Sequence, residues 1–217
     1  MITRRRTICS ILSASFISSC AVLGPDTPQR VVQIKALADV PFRARNPRWA
    51  DEARALIEAA SDYYEREFNI RLVTRVVTAW PNQERIPSTP SVLDRLKKDF
   101  AGQAKTDGYD LIVAFTAEGM SRHLTAGRPR VDRVGDCNKG LGSYLVVPVT
   151  RVFQYRGPNA EPEFDVVALI HEIGHVFGAE HVDDRQSIMH EEFGYRTEFD
   201  PKNRAIIQKN RSCPFAK

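Results

Sequence analysis

Acidic residues are missing from the start of this 217-residue chain, where no aspartate or glutamate precedes Asp26. The same segment carries Arg4, Arg5 and Arg6, which account for most of the formal net charge of +4. Without these three, the chain has 28 of its 31 basic residues and 27 acidic residues, so the body of the chain is close to neutral. A nucleic-acid-binding protein would show a basic face or stripe. We therefore predict no nucleic-acid partner.

The N-terminal segment also lacks an apolar run long enough to cross a membrane. Such a helix needs about 20 mostly apolar residues, whereas the run after the arginines covers only residues 7–19 and contains several serines. A positive start, a short apolar run and small residues at its end are typical of a secretory signal. We predict a signal peptide over residues 1–19 and export of the protein.

The end of this signal resembles a bacterial lipobox, in which the cysteine becomes the lipidated first residue after cleavage. Residues 17–20 read Ile-Ser-Ser-Cys, with isoleucine where leucine is commoner. The resemblance implies a lipid anchor on Cys20 in the cell envelope, and Ala21 in place of aspartate implies the outer membrane or surface. An ordinary cleaved signal with an incidental cysteine is the alternative. Residues 20–30 would form a tether too short for a long inhibitory prosegment, so we expect an active protein after export.

Cysteine is scarce, with four residues in the whole chain. If Cys9 leaves with the signal and Cys20 carries lipid, Cys137 and Cys213 remain as a pair. Disulfides persist in oxidising compartments outside the cytosol. We predict a disulfide bond between Cys137 and Cys213. The alternative is that Cys137 is a free thiolate that would block a metal ion and so keep the protein in a latent form.

Repeats, low-complexity tracts and long linkers are absent, and 42% hydrophobic with 27% charged residues is ordinary for a folded protein. We predict one α+β domain over residues 31–217, with strands and helices mingled before a helix-dominated C-terminal third. Pattern and capping signals predict strands at 31–37, 71–80, 111–116 and 142–149, and helices opening at Asn46-Pro47, at Ser91, near Asp165 and at Asp200-Pro201. Pro148 cannot donate to a ladder, which places the last strand near an edge.

Histidine is also scarce, yet three of the five histidines lie in HEIGHVFGAEH, residues 171–181. On a helix, His171 and His175 are about 40° apart and one turn, about 5.4 Å, along the axis, so they share a face. On the same helix His181 would point away, about 15 Å from His171. The helix must therefore end first, and Gly178 is placed to end it because glycine adopts the left-handed conformation without penalty.

Three neutral imidazoles suit one catalytic Zn²⁺. They leave a fourth tetrahedral position for water, whose pKa zinc lowers toward about 7. Glu172 is then a candidate general base that passes the proton on to the leaving amine. The sequence predicts His171, His175 and His181 as metal ligands and Glu172 as the catalytic residue. Calcium is possible but not indicated.

The pattern His-Glu-x-x-His-x-x-Gly-x-x-His, followed by a methionine turn, is the metzincin signature. Met189, in Ser-Ile-Met-His, supplies the methionine. The chain thus resembles metzincin zinc peptidases of the matrixin or astacin kind. The resemblance implies a twisted mixed sheet with two or three helices, an active-site helix and a small C-terminal subdomain, Met189 beneath the metal, and a peptide or protein substrate. Val182 fits neither family well, and Glu191 stands where astacins have a tyrosine.

Two other functions are compatible with the motif. One is a zinc-binding envelope lipoprotein without turnover, against which the presence of Glu172 argues. The other is a cell-wall or small-amide hydrolase that uses the same zinc. His123 is expected at the surface, Tyr195 is a candidate for the pocket wall beyond the scissile bond, and the protein is expected to be a monomer.

Overall fold

The computed structural model describes residues 29–81, 89–101, 107–117, 130–149, 164–192, 194 and 196–216. Four parallel strands form one sheet in the order β2-β1-β3-β4. Their bounds are β1 Arg30–Ala38, β2 Ile70–Ala79, β3 Leu111–Thr116 and β4 Tyr144–Pro148. Each lies within two residues of a predicted strand.

Five helices accompany the sheet in the described part of the chain. They are α1 Val40–Arg45, α2 Trp49–Phe68, α3 Thr89–Asp99, α4 Phe164–Val176 and α5 Pro201–Asn210. Helix α5 begins as the sequence predicts, with Pro201 in its first turn and the Asp200 side chain accepting a hydrogen bond from the Asn203 N–H. Helix α3 begins at Thr89, ahead of the predicted opening at Ser91.

The start of α2 differs from the sequence prediction. The helix begins at Trp49, so Pro47 lies outside it. Asn46 instead ends α1, a short helix that the sequence pattern did not indicate, and its N–H donates to the Arg43 carbonyl. The Asn46 side chain nevertheless contacts the start of α2: its Oδ1 accepts from the Arg48 N–H at 2.9 Å, and its Nδ2 donates to Glu52 in the first turn. Asn46 therefore bonds to both helices.

The core has two parts, one on each face of the sheet. Residues of β3 alternate between them, as a strand buried on both faces requires. On one face, α2 and α4 pack in a large apolar cluster that includes Leu111, Val113 and Phe115. On the other face, α3 closes a smaller cluster with Ile112 and Ala114. Helix α4 is therefore held against the sheet from its first turn to its last.

The sheet continues beyond β4 with a short antiparallel contact. Val131 forms an antiparallel bridge with Leu145, the Val146 N–H donates to the Arg130 carbonyl, and the Asp132 N–H donates to the Tyr144 carbonyl. This isolated bridge is antiparallel, whereas the four strands of the sheet are all parallel. It also brings residues 130–132 alongside β4, on the side where α4 packs.

Candidate metal centre

Helix α4 carries the first two histidines and Glu172 into the interior. His171, Glu172 and His175 have exposed fractions of 1%, 2% and 0%. Every described side chain of α4 after Phe164 is buried, which explains its almost continuous apolar sequence. These polar groups therefore need partners within the protein.

The helix ends at Val176, and the chain then reverses. Gly178 has a φ of +97°, in the left-handed region that favours glycine. Its N–H donates to the His175 carbonyl, and the Ala179 N–H donates to the Gly174 carbonyl. This hydrogen-bonded turn returns His181 toward the other two histidines.

The three imidazoles meet through their Nε2 atoms. The distances are 3.1 Å between His175 and His171, 3.1 Å between His175 and His181, and 3.2 Å between His171 and His181. Tetrahedral ligands that each lie 2.0 to 2.1 Å from zinc would be about 3.3 Å apart. The nitrogen triangle thus has the dimensions of three ligands of one zinc ion.

The outer nitrogens of two rings fix which nitrogen faces the centre. His171 Nδ1 donates to the Ile188 carbonyl at 2.6 Å, and His175 Nδ1 donates to the Ala179 carbonyl at 2.7 Å. Because a neutral imidazole carries one proton, both Nε2 atoms are then acceptors that face each other. Acceptors gathered in this way fit a cation between them, and carbonyl partners on Nδ1 are the usual outer support of a histidine ligand.

Burial also keeps these rings neutral. It lowers the pKa of His171 well below its ordinary value and lowers that of His175 to about 4. Burial lowers the pKa of His181 as well, although the nearby Glu191 carboxylate opposes this shift. Neutral imidazole is the form that binds a metal.

Met189 lies beneath this centre, fully buried. Its sulfur would be 2.9 Å from a Cβ added at Gly174, which lies on α4 between the two histidines, and Phe199 would be equally close. The main chain next to Met189 supplies the Ile188 carbonyl, which accepts the hydrogen bond from His171 Nδ1. Gly174 therefore lets the methionine and Phe199 approach the helix, a role that sequence analysis missed.

Helix α5 supports both segments that flank the centre. The Asn203 side chain accepts from the Glu180 N–H and donates to the Glu180 carbonyl, next to His181. The Asp200 carboxylate accepts from the Ser187 hydroxyl, and that hydroxyl oxygen accepts from the Met189 N–H. One helix start thus fixes the third histidine and the methionine turn relative to each other.

The reversal at Gly178 is enclosed by parts of the chain far away in sequence. A Cβ at Gly178 would lie 2.5 Å from both Asn210 Nδ2 and the Gly135 carbonyl oxygen. Cys137 and Cys213, which flank these two contacts, are joined by a disulfide with their Cα atoms 5.1 Å apart. The bond ties the segment before β4 to the chain end behind the metal centre.

Glu172 has a charged partner that sequence analysis also missed. The Arg130 N–H donates to Glu172 Oε2 at 2.8 Å, and Arg130 Nη1 lies 3.5 Å from Glu172 Oε1. Burial raises the pKa of Glu172 to about 7, while the Arg130 charge opposes this rise. Arg130 lies 42 residues before Glu172 in a polar, glycine-containing stretch without periodicity, so the sequence offered no signal for it.

Several sequence predictions fall outside the described residues. They are the signal over 1–19, the lipidation site Cys20, almost all of the tether over 20–30, and the side chains His123 and Tyr195. No helix in the described part of the chain has both the length and the apolar character that a membrane span requires.

Comparison with known families decides the relationship. The model described as metallo-peptidase family M12 matches residues 28–217, which is most of the chain. The chain belongs to metallo-peptidase family M12. This is a metzincin-type family, and together with the α/β architecture it confirms the metzincin-like fold expected from the motif. No curated protein matches the chain.

Membership in family M12 supports a hydrolase that acts on peptide bonds, and zinc is the metal that this family typically binds. The histidine cluster is the group of potential metal ligands found among the described residues. The donor chemistry of the site and the family therefore agree on a metal-dependent peptidase.

Proposed function

We propose that this protein is a zinc-dependent endopeptidase in which His171, His175 and His181 hold the metal and Glu172 is the general base. The triangle of Nε2 atoms, with sides of 3.1 to 3.2 Å, is the observation that supports this best. Three protein ligands leave the fourth coordination position of zinc open. Zinc held by these histidines would lower the pKa of a water molecule at that position and would polarise the scissile carbonyl.

Two features support the proposed role of Glu172 in proton transfer. Glu172 follows His171 directly on α4, and its side chain is only 2% exposed, so bulk water does not compete for the carboxylate. The carboxylate would take a proton from the attacking water and deliver it to the leaving amine. A site that only binds zinc would have no need of a buried carboxylate beside the ligands. This favours an enzyme over a zinc-binding protein without turnover.

Glu172→Gln tests the proposal, because the amide keeps the size of the side chain and cannot accept the proton. We expect the variant to bind one zinc per chain and to lose on the order of 10²- to 10⁴-fold of peptide cleavage. Glu180→Gln is the matched control, since its carboxylate is exposed and pairs with Lys202; it should cleave as the wild type does. Cleavage would be measured on a proteome-derived peptide library, with and without chelator.

The same experiment separates the other functions that the motif allows. Peptidoglycan fragments and small amides enter as parallel substrates. Cleavage of these alone would reject the endopeptidase and indicate a cell-wall or small-amide hydrolase. Tight zinc binding without turnover of any substrate would indicate a binding lipoprotein, and full activity of Glu172→Gln would reject the role of Glu172.

We also propose that the protein is exported and anchored by lipid on Cys20 in the bacterial envelope. The support is the N-terminal sequence: a positive start, a short apolar run and the Ile-Ser-Ser-Cys stretch. Mass spectrometry of the mature N-terminus should find a lipidated cysteine, and Cys20→Ala should release the protein from membranes. An unmodified Cys20 in mature protein would contradict the anchor.

A further inference from the structure

We propose that Arg130 is the positioning residue of Glu172, because it engages both carboxylate oxygens and fixes the plane of the group. This inference rests on the proposed function, since the orientation of Glu172 matters for the reaction only if Glu172 handles a proton.

The two contacts come from different parts of the same arginine. The main-chain N–H of Arg130 donates to Glu172 Oε2 at 2.8 Å. The guanidinium Nη1 lies 3.5 Å from the other oxygen, Oε1, which makes an ion pair. The side chains of the pair are 16% and 2% exposed, so water screens their attraction far less than at the surface. Each carboxylate oxygen therefore has Arg130 as a neighbour, Oε2 through a hydrogen bond and Oε1 through an ion pair.

Arg130 is itself fixed by the edge of the sheet. Its carbonyl accepts from the Val146 N–H of β4 at 2.9 Å. Two residues later, Asp132 Oδ1 accepts from the main-chain N–H groups of Ser143 and Tyr144 at 2.9 and 3.0 Å. These bonds hold the backbone of residues 130–132 on β4, so the N–H that meets Glu172 cannot move without breaking them.

The arrangement gives the two contacts separate tasks. The main-chain bond depends on the fold and persists in any side-chain variant except proline. The guanidinium contact sets the rotation of the carboxylate about its last bond, which one hydrogen bond alone leaves free. A base displaced by about 1 Å from its productive position can cost on the order of 10²-fold in rate. Loss of the guanidinium should therefore lower the rate of the chemical step while the metal ligands stay in place.

Cleavage by Arg130→Ala and Arg130→Lys tests this role. For a peptide that the wild type cleaves, we expect Arg130→Ala to lose on the order of 10- to 100-fold of kcat, with KM and zinc content unchanged. Arg130→Lys keeps a charge without the planar fork and should recover part of the loss. Arg133→Ala is the matched control, because Arg133 lies on the same segment, is 43% exposed and pairs with Asp132; it should behave as the wild type.

A second measurement needs neither metal nor turnover. Thermal unfolding of the metal-free protein would be compared at pH 8 for wild type, Arg130→Ala, Glu172→Gln and the double variant. If the guanidinium acts on the carboxylate, Arg130→Ala should lower the melting temperature clearly in the wild-type background. It should lower it much less in the Glu172→Gln background, because the buried ion pair is already lost there.

The outcomes separate the two hypotheses. If the wild type cleaves no peptide, the proposed function fails, and the unfolding cycle still tests the pairing of Arg130 with Glu172. If the wild type cleaves peptides but Arg130→Ala keeps its kcat, the positioning role fails and the peptidase stands. Equal losses of melting temperature in both backgrounds would show that Arg130 acts only by packing, which also overturns the inference.

Discussion

At the scale of single residues, the centre is governed by the cost of burying charge. Burial lowers the pKa values of His171 and His175 and raises that of Glu172, so in all three groups burial itself acts against the charged form. For the histidines, the neutral form is the one that binds metal. For Glu172, the nearby Arg130 charge opposes the effect of burial, so the pKa settles at about 7.

The shift at Glu172 predicts a pH-dependent stability of the metal-free protein. Burial raises the pKa of Glu172 from an ordinary value of 4.5 to about 7. The contribution of this carboxyl group to the free energy of unfolding is therefore complete below pH 4.5 and is lost as pH rises through 7. Relative to wild type, Glu172→Gln should therefore gain stability across this window, by about 3 kcal/mol. Denaturant unfolding from pH 4.5 to 8 would measure the difference.

The histidines act in the opposite direction. Burial lowers the pKa of His175 from 6.5 to about 4. The contribution of this imidazole to the free energy of unfolding is therefore present above pH 6.5 and is lost as pH falls through 4. Wild type and Glu172→Gln share this loss, so their difference isolates the carboxyl group. A difference that does not change between pH 4.5 and 8 would show that Glu172 is not buried as described.

At the scale of elements, the decisive feature is how α4 ends. Its last turn closes at Val176, Gly178 reverses the chain, and the start of α5 holds Glu180 beside the third histidine. The reversal needs both a positive φ and close approach, because Asn210 and Gly135 occupy the space where a side chain would begin. Two separate physical requirements therefore select glycine at position 178.

Gly178→Ala should test these requirements against a matched control. Gly108 also has a positive φ, +75°, but no atom lies within 4 Å of a Cβ added there. Gly108→Ala should cost only the backbone strain, about 1 to 2 kcal/mol. Gly178→Ala should cost more and should also weaken zinc binding, because the turn must shift to relieve the contact with Asn210. Denaturant unfolding and zinc titration would measure both effects.

Equal costs for the two substitutions, with zinc affinity unchanged at Gly178→Ala, would contradict this account. The turn would then tolerate the added methyl group, and the packing around Gly178 would not hold the third histidine. A larger cost with unchanged zinc affinity would separate the stability of the turn from the placement of His181.

At the scale of the whole molecule, the metal centre is closed from behind by the C-terminal end of the chain. Asn210 donates to the Phe177 carbonyl at 2.9 Å, and Leu141 pairs with Phe215 beside the start of β4. The disulfide between Cys137 and Cys213 spans 76 residues and joins these same two regions. The chain end therefore belongs to the support of the site.

Removal of this disulfide should affect stability and metal binding together. We expect Cys137→Ala with Cys213→Ala to lose on the order of 2 to 5 kcal/mol of unfolding free energy, as for a bond that closes a long loop. Zinc affinity should fall as well, because Gly135 and Asn210 would hold the Gly178 turn less firmly. Reductant should lower the unfolding free energy and the zinc affinity of the wild type in the same way and should leave those of the double variant unchanged. An effect of reductant on the double variant would show that the loss does not come from the bond between Cys137 and Cys213.

Short-range features of the fold could be predicted from the sequence. The strand at 111–116 and the start of α5 at Pro201 follow from patterns within a few residues. The histidine spacing similarly required a helix that ends before His181. Asn46-Pro47 shows where such patterns fail: the Asn46 side chain does bond to the start of α2, but the helix begins only at Trp49 and leaves Pro47 outside it.

The sequence by itself determined which residues could form a metal centre, because helical geometry fixes the relation of His171 to His175 and glycine adopts the left-handed turn that follows without penalty. Only the tertiary structure decided what surrounds them: Arg130 against Glu172, Met189 and Phe199 against Gly174, and Asn210 against Gly178. These partners are far apart along the chain, and local periodicity carries no information about contacts over such separations. Packing of the sheet, α4 and the chain end supplies it.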